Sequence, residues 1–308
     1  MTAKLQTAGR FVVGTDGSER ANKAVDWAAE RARARGIPLL VLDVIAEVPI
    51  PSRTHAAKAL AAGTDYVEQY RERARKRLEK VVNSLKERYP DLEVEGTVVQ
   101  GNPSYVLAQA SKDAFLVVVG ARGQGAPMSV KLLGGVSDAV ATHSHGPIAV
   151  ITDEAMENPG GAVVVGVDES PAAKGAIEFA FDTAHARGVP LVAVNAWDFG
   201  AYDAYSADVW EYSVEEITAG LVKMVEEQLA DGRAKYPEVP VEIRVIRGRP
   251  EIALVEESRK AGLVVVGSRG RGGFAGLLLG STSKHVLREA HCPVIVTRGE
   301  VSTTTTTV

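Results

Sequence analysis

The stretch Leu263–Ser283 reads LVVVGSRGRGGFAGLLLGSTS. Its first four residues form an apolar, mostly β-branched run that ends at Gly267, the pattern of a buried strand. Arg269, Gly270, Arg271, Gly272 and Gly273 follow, then Gly280; Ser281, Thr282 and Ser283 lead into a helical pattern over Lys284 to Ala290. A strand, a glycine-rich loop and a hydroxyl-rich helix start thus come in immediate succession. Glycines let main-chain N–H groups approach an anion with no Cβ in the way. A helix start adds N–H groups without intrahelical partners and the positive end of a dipole. Successive turn amides form an anion-binding nest. Phosphate suits all three, although a lone glycine-rich loop reads equally well as a tight turn.

The stretch occurs twice. Phe115–Ser137 reads FLVVVGARGQGAPMSVKLLGGVS. Gly120 stands where Gly267 does, Gly123 where Gly270 does, Gly134 where Gly280 does and Ser137 where Ser283 does. Outward from these stretches the whole chain repeats. RFVVGTD, Arg10 to Asp16, is a short strand with a turn, and VVVGVDES, Val163 to Ser170, restates it. A first helix carries Ala21, Ala24, Val25, Ala28 and Ala32 on one face, and Ala173, Ala176, Ile177, Ala180 and Ala184 restate that face. Gly36 ends the first helix as a C′ residue; Ser170 with Pro171 starts its counterpart as N-cap and N1. Pro38 to Ile45 is a second strand, restated within Ala186 to Trp197. A helix over Asp65 to Tyr89 carries the stripe Val67, Tyr70, Ala74, Leu78, Val81 and Leu85. Glu93 to Gln100 reads as a third strand, and Gly101-Asn102-Pro103 turns into a short helix, restated at Gly248-Arg249-Pro250. Helix Val136 to His143 follows the first glycine loop. Pro147 to Thr152 and Pro293 to Thr297 are the last strands.

Strands alternating with helices predict an α/β fold. Each half is a Rossmann-like or flavodoxin-like domain, a five-stranded parallel sheet with helices on both faces. The polar linker around Asp153 to Gly160 divides the chain into domains at 1–156 and 157–308. Two copies of so long a unit mean two domains rather than a solenoid. A length of 308 residues, 45% hydrophobic and 24% charged, suits that size and class. A net charge of −4 supplies no drive toward nucleic acid or an anionic membrane. Cys292, the one cysteine, excludes an intramolecular disulfide and a thiol-rich metal site. No apolar run reaches the roughly 20 residues of a membrane span, and residues 1–9 read as a loose leader lacking a signal-peptide core. A soluble, cytoplasmic protein is the expectation. The tail with Thr303 to Thr307 reads as low complexity.

In an open doubly wound sheet, ligands bind beyond the carboxyl ends of the strands, where the winding reverses. There the turn with Asp16 faces the Gly120 loop, and the turn with Asp168 faces the Gly267 loop. A carboxylate opposite a phosphate cradle suits ribose hydroxyls or Mg²⁺; each Asp also reads as a helix N-cap.

These residues resemble a tandem universal stress protein, over residues 9–152 and 160–298. The ATP-binding subgroup of that family carries Gly, two residues, Gly, nine residues, then Gly-Ser/Thr, which the second half matches at Gly267, Gly270, Gly280 and Ser281. The first half departs from it: ten residues separate Gly123 from Gly134, and Gly135 replaces the hydroxyl residue. The resemblance implies ATP, with Mg²⁺, as the ligand. It places Gly14 with Asp16, and Gly166 with Asp168, near ribose and phosphates, and brings main-chain atoms of Val44 and Ala196 to adenine. It gives the triphosphate to the glycine loops, to Gly134, Gly135, Val136 and Ser137, and to Gly280, Ser281, Thr282 and Ser283, flanked by Arg122 and Arg269. It also implies strand order 3-2-1-4-5, pairing of the two domains through their last strands, a homodimer and a regulatory protein partner.

The chain therefore reads as a stress-response regulator that senses nucleotide, with no catalytic residues and no resident metal ligands. An ATPase or nucleotidyl-transferring enzyme on the same scaffold is the alternative, and slow hydrolysis needs only a positioned water; SGGxDS, HIGH and KMSKS motifs are absent. A nucleotide-free scaffold is the third reading, against which the intact second motif stands. Gly280 to Lys284 lacks P-loop spacing. His143 and His145 read as helix-end polarity. Trp197, Tyr202, Tyr205, Trp210 and Tyr212 read as local packing, with base stacking as the alternative.

Overall fold

The computed structural model describes residues 5–45, 64–122, 133–152, 158, 160–198, 213–270 and 278–299. Gly123, Arg271 to Gly273, Tyr202 to Tyr212 and the threonine tail lie outside them. The chain divides into two compact units, 1–153 and 154–308. In the first, β1 (Phe11–Thr15), α1 (Glu19–Arg35), β2 (Leu39–Ile45), α2 (Thr64–Arg88), β3 (Val94–Gln100), α3 (Pro103–Ala110), β4 (Leu116–Gly120), α4 (Gly135–His143) and β5 (Ile148–Ile151) follow one another. In the second, β6 (Val163–Gly166), α5 (Pro171–Arg187), β7 (Leu191–Trp197), α6 (Val214–Lys235), β8 (Val241–Arg247), α7 (Pro250–Ser258), β9 (Leu263–Gly267), α8 (Ser281–Glu289) and β10 (Val294–Thr297) repeat the series.

Within the first unit the strands run β3-β2-β1-β4-β5, all parallel; within the second, β8-β7-β6-β9-β10. This is the expected 3-2-1-4-5 order in both halves. The centre strands read as unbroken apolar runs because both their faces are covered: Val12, Val13, Val117 and Val118 are fully buried, as are Val163, Val165, Val264 and Val265. Right-handed crossovers put α1 and α2 on one face and α3 and α4 on the other, since the direction of travel reverses between them. Facing β1 and β4 are thus the two strands at which the winding switches, and their carboxyl ends diverge into the Asp16 turn and the Gly120 loop.

The helix ends follow local chemistry. Gly36 and Gly188 close α1 and α5 at φ 64° and 61°, left-handed values that glycine adopts without a Cβ penalty. The stripe on α2 needs correcting. Ala74, Leu78 and Leu85 are buried as expected, but Val82 takes the place expected of Val81, and Tyr70 is exposed. Val67 has its side chain outside the described residues. Helix α4 starts one residue earlier than expected, at Gly135, and α8 starts at Ser281, so the hydroxyl run lies within the first turn.

Candidate nucleotide crevices

Each unit carries a crevice where its winding reverses. The first encloses about 610 Å³ and is lined by Gly14, Asp16, Val44, Gly120, Arg122 and Gly134 to Ser137. The second encloses about 530 Å³ and is lined by Gly166, Asp168, Ala196, Gly267, Arg269, Gly270 and Gly280 to Ser283. Of the residues expected at the sites, the fold brings all into these two places except Gly123, which lies outside the described residues. Both volumes fall in the range of about 300–1,000 Å³ usual for small-molecule sites.

The Asp turns are built locally. Asp16 Oδ1 accepts from the Ser18 N–H at 2.9 Å, and Ser18 Oγ accepts from the Ala21 N–H at 3.1 Å. The N-cap of α1 is therefore Ser18, not Asp16, and Asp16 shapes the turn before it. Asp168 Oδ1 likewise accepts from the Ser170 N–H at 3.0 Å. Ser170 occupies the expected N-cap position with Pro171 behind it, yet makes no side-chain cap bond. Its hydroxyl lies instead between Asp168 Oδ1 and the carbonyl of Arg269, the latter at 3.1 Å, and its one proton is shared between them. The second Asp turn is thus tied to its glycine loop by a side chain.

The glycines of the motif divide into two kinds. A Cβ on Gly14 or Gly166 would meet Leu107 at 2.9 Å or Leu254 at 3.2 Å, and one on Gly267 would meet main-chain atoms of Ala172 at 2.9 Å. These glycines let helices pack on strand ends. A Cβ on Gly270 would point across the crevice at Asp168 Oδ2, 2.8 Å away. Gly135, by contrast, faces open space.

Helices α4 and α8 begin at Gly134 and Gly280, which cap them without any side-chain bond, whereas α1, α3 and α6 have side-chain caps from Ser18, Asn102 and Ser213. First-turn amides of both crevice helices are therefore left for another acceptor. The hydroxyls of Ser137 and Ser283 do not join them: they donate to the carbonyls of Ala121 at 2.6 Å and Gly267 at 2.7 Å, and both side chains are buried. They clamp the helix start to the strand end. Ser281 and Thr282, less buried, carry the second crevice's remaining hydroxyls.

At the other end of each crevice, β2 outruns β1 and β7 outruns β6. Pairing of β1 with β2 stops at Thr15↔Asp43, while β2 stays paired to β3 through Ile45↔Gln100. The Ile45 carbonyl turns outward to the Gly101 N–H, and the Val194 carbonyl turns inward to Val167. Main-chain direction alternates along a parallel strand, so the N–H and C=O of Val44 and Ala196 face the space beyond β1 and β6. Leu107 with Pro103, and Leu254 with Pro250, supply apolar walls there. The recurring Gly-x-Pro at Gly101 to Pro103 and Gly248 to Pro250 is the sequence signal for these walls.

One buried ion pair lies beside the first crevice and has no signal in the sequence. Asp43, beside Val44, is 2% exposed and is held by Arg77 of α2 through Nε at 3.1 Å and through Nη2. Burial pushes its carboxyl above the ordinary value, Arg77 opposing and Asp16 adding to the rise. In the second unit Asn195 takes the place of Asp43 and donates to the Val167 carbonyl at 2.9 Å. No cluster of three or more potential metal ligands occurs among the described residues, and no described helix is long and apolar enough to cross a membrane.

The asymmetry of the two helix starts gives a first expectation. Gly135→Ser places a hydroxyl in open space at the position of Ser281, and should raise anion affinity in the first crevice about tenfold or more, one added hydrogen bond to a charged group. Titration of the variant with ATP checks it; an unchanged affinity would show that this position does not meet the ligand.

Comparison with known proteins agrees with the duplicated architecture. The sequence signature of the Universal stress protein family matches residues 8–152 and again 161–298. A universal stress protein of Mycobacterium tuberculosis is 36% identical over 310 residues, covering 97% of either chain. One from Mycolicibacterium smegmatis is 38% identical over 291 residues, covering 94% of this chain and 96% of its own. Among solved structures, a universal stress protein from Archaeoglobus fulgidus superposes with a TM-score of 0.70 at 24% identity, over 96% of this chain and 100% of its own. At that identity the likeness bears on fold alone.

Proposed function

The chain belongs to the universal stress protein family, and from that premise we propose that it is an ATP-binding regulatory protein of the stress response. The observation that carries the reading is the second crevice. There an α-helix start without a side-chain cap, with Ser281 and Thr282 in its first turn, meets a glycine loop across from Asp168. In this reading the amides of Gly270 and Gly280 to Ser283 take the phosphates, Asp168 takes a ribose hydroxyl, and the main chain of Ala196 meets the base. The apolar wall of Pro250 and Leu254 covers one base face. Mg²⁺ suits the same place, since it is commonly held by one carboxylate plus substrate phosphates, and its charge would offset that of the phosphates. The first crevice takes nucleotide through Asp16, Val44, the Gly120 loop and the first turn of α4.

Binding rather than turnover fits the side chains present. No histidine lines either crevice among the described residues, and Asp16 and Asp168 each give one carboxylate oxygen to a turn amide. Turnover faster than about 1 per second that is lost in Asp168→Ala would favour an enzyme instead. Regulation would then follow from a change in partner contacts, within a cytoplasmic homodimer, on nucleotide binding.

Mass spectrometry of gently denatured protein, followed by calorimetric titration with ATP, tests the reading. Saturable binding is expected, and its absence would end the proposal. Gly270→Ala should weaken binding about tenfold, or roughly 1.4 kcal/mol, because the added methyl displaces the Asp168 carboxylate. Unchanged affinity would remove this loop from the site.

A further inference from the structure

At Asn195 the sheet of the second unit begins to open. Strand β7 is still paired there to β8, through Asn195↔Val245, but its pairing with β6 has ended at Gly166↔Val194. Val167 then leads the chain from β6 into the Asp168 turn. Its N–H donates to the Val194 carbonyl at 2.8 Å, and its carbonyl accepts from Nδ2 of Asn195 at 2.9 Å. The side-chain amide thus spans the gap between the two strand ends. Val167, Asp168, Asn195 and Ala196 all line the crevice.

A main-chain carbonyl only accepts, so the amide nitrogen must face Val167 and the amide oxygen is left over. Asn195 is 4% exposed, and its Oδ1 is buried with no hydrogen-bond partner among the described residues. Buried polar atoms are paired as a rule, so this acceptor is incomplete until a donor is brought to it. In the first unit the same position is closed. Asp43 stands there with its carboxylate taken by Arg77, and it does not line the first crevice although Leu42 and Val44 on either side do. Met224, at the sequence position of Arg77, has no N–H or O–H to offer Asn195 in its place.

We propose that Asn195 makes the second crevice selective for ribose: its Oδ1 accepts a hydrogen bond from a sugar hydroxyl of the bound nucleotide. The proposal rests on the nucleotide reading above and adds a specificity-determining residue to it. Phosphate oxygens are acceptors and would repel a carbonyl oxygen. The base falls to the main chain of Ala196, whereas the amide is tied to Val167, directly before the Asp168 that takes a ribose hydroxyl. A ribose offers two neighbouring hydroxyls, and a carboxylate and an amide oxygen at adjacent strand ends give each an acceptor.

Calorimetry on the full-length protein compares ATP with its 2′-deoxy and 3′-deoxy analogues and with the triphosphate of purine riboside, which lacks the exocyclic amine. The binding step that Gly270→Ala weakens reports the second crevice. At that step wild type should bind one deoxy analogue about tenfold more weakly than ATP, the loss of one hydrogen bond. Asn195→Leu should bind ATP and that analogue within about twofold of each other. Asn195→Asp with Met224→Arg rebuilds the ion pair around which the first unit folds, and should likewise abolish the difference. A deoxy penalty that persists in either folded variant would make the amide a tie between strands only and overturn the proposal. Equal binding of ATP and both deoxy analogues by wild type would do the same. Loss in Asn195→Leu of discrimination against the purine riboside instead would give the amide to the base, and overturn the assignment to ribose. Melting of the apo variants separates a folding defect from a binding one; should Asn195→Leu melt early, the double variant and the wild-type comparison still decide. Wild-type protein that binds none of the nucleotides would sink the parent reading, whereas the other contrary results sink this inference alone.

Discussion

Arg77→Met should lower the stability of the first unit by about 3 kcal/mol at neutral pH, the low end for breaking a buried ion pair. The low end applies because Arg77 keeps 35% of its side chain exposed while Asp43 keeps 2%. The cost arises from the partner left behind: without Arg77, a carboxylate stays buried beside Asp16, whose charge already works against it. Arg77 also lies over the Asp16 turn. A Cβ on Gly17, at φ +76°, would strike its side chain at 2.2 Å, so its removal loosens the first crevice as well. Met is the informative replacement because Met224 occupies the matching sequence position on α6, in the unit where Asn195 replaces Asp43. Asp43→Asn with Arg77→Met should therefore recover most of the loss, as apolar or neutral substitutes for a buried pair usually do. Equal destabilisation by the single and double variants in urea titration would refute the account.

The pH dependence follows with a definite sign. Burial raises the Asp43 carboxyl in the fold above its ordinary 3.8. A raised acid holds its proton more tightly folded than unfolded, so stability falls as pH rises through that window and returns on acidification. Removing Arg77 removes the opposing influence and moves the window further up. The deficit of Arg77→Met should thus be largest near pH 7 and narrow as pH falls toward about 4.

Much of the fold was legible because it is written twice. The β-branched runs at Val117 and Val264 had to be buried strands, and two copies of one strand–helix series left little choice of architecture. The crevices were legible for a related reason: parallel sheets open where winding reverses, and Asp16 and Gly120 both follow strands that meet there. Long-range pairings were not legible. Asp43 and Arg77 sit on different elements, and nothing in either residue's neighbours announces the other. Arg298 directly follows a strand, and only the register of Thr297 with Gly267 sets it by the loop. Ser137 and Ser283 stand in the helix starts expected to hold the triphosphate, but helix phase turns both hydroxyls inward to main-chain carbonyls, and such phase depends on a helix start that sequence places only to within a few residues.

Gly267→Ala should cost the second unit about 3 kcal/mol, the upper end for overpacking, although the residue looks from sequence like a phosphate-loop glycine. The added Cβ would lie 2.9 Å from the carbonyl carbon, the oxygen and the Cβ of Ala172 together. Two of those atoms are main chain in the first turn of α5, so no side-chain rotation relieves the contact, and the helix itself must move off β9. No left-handed backbone is involved at Gly267; the demand is for space alone. Its counterpart Gly120 is looser, with the Arg20 carbonyl oxygen at 3.3 Å, and Gly120→Ala should cost about 1 kcal/mol. Chemical denaturation of the two variants reads the contrast, and equal midpoints would contradict it. The helix that must shift carries Ser170 at its N-cap, which bonds both Asp168 and the Arg269 carbonyl. Gly267→Ala should therefore weaken nucleotide binding through that displaced tie, whereas Gly270→Ala should weaken it with little loss of stability. A Gly267→Ala protein of wild-type stability with impaired binding would mean that this glycine meets the ligand directly, and that the packing of α5 on β9 is not what requires it.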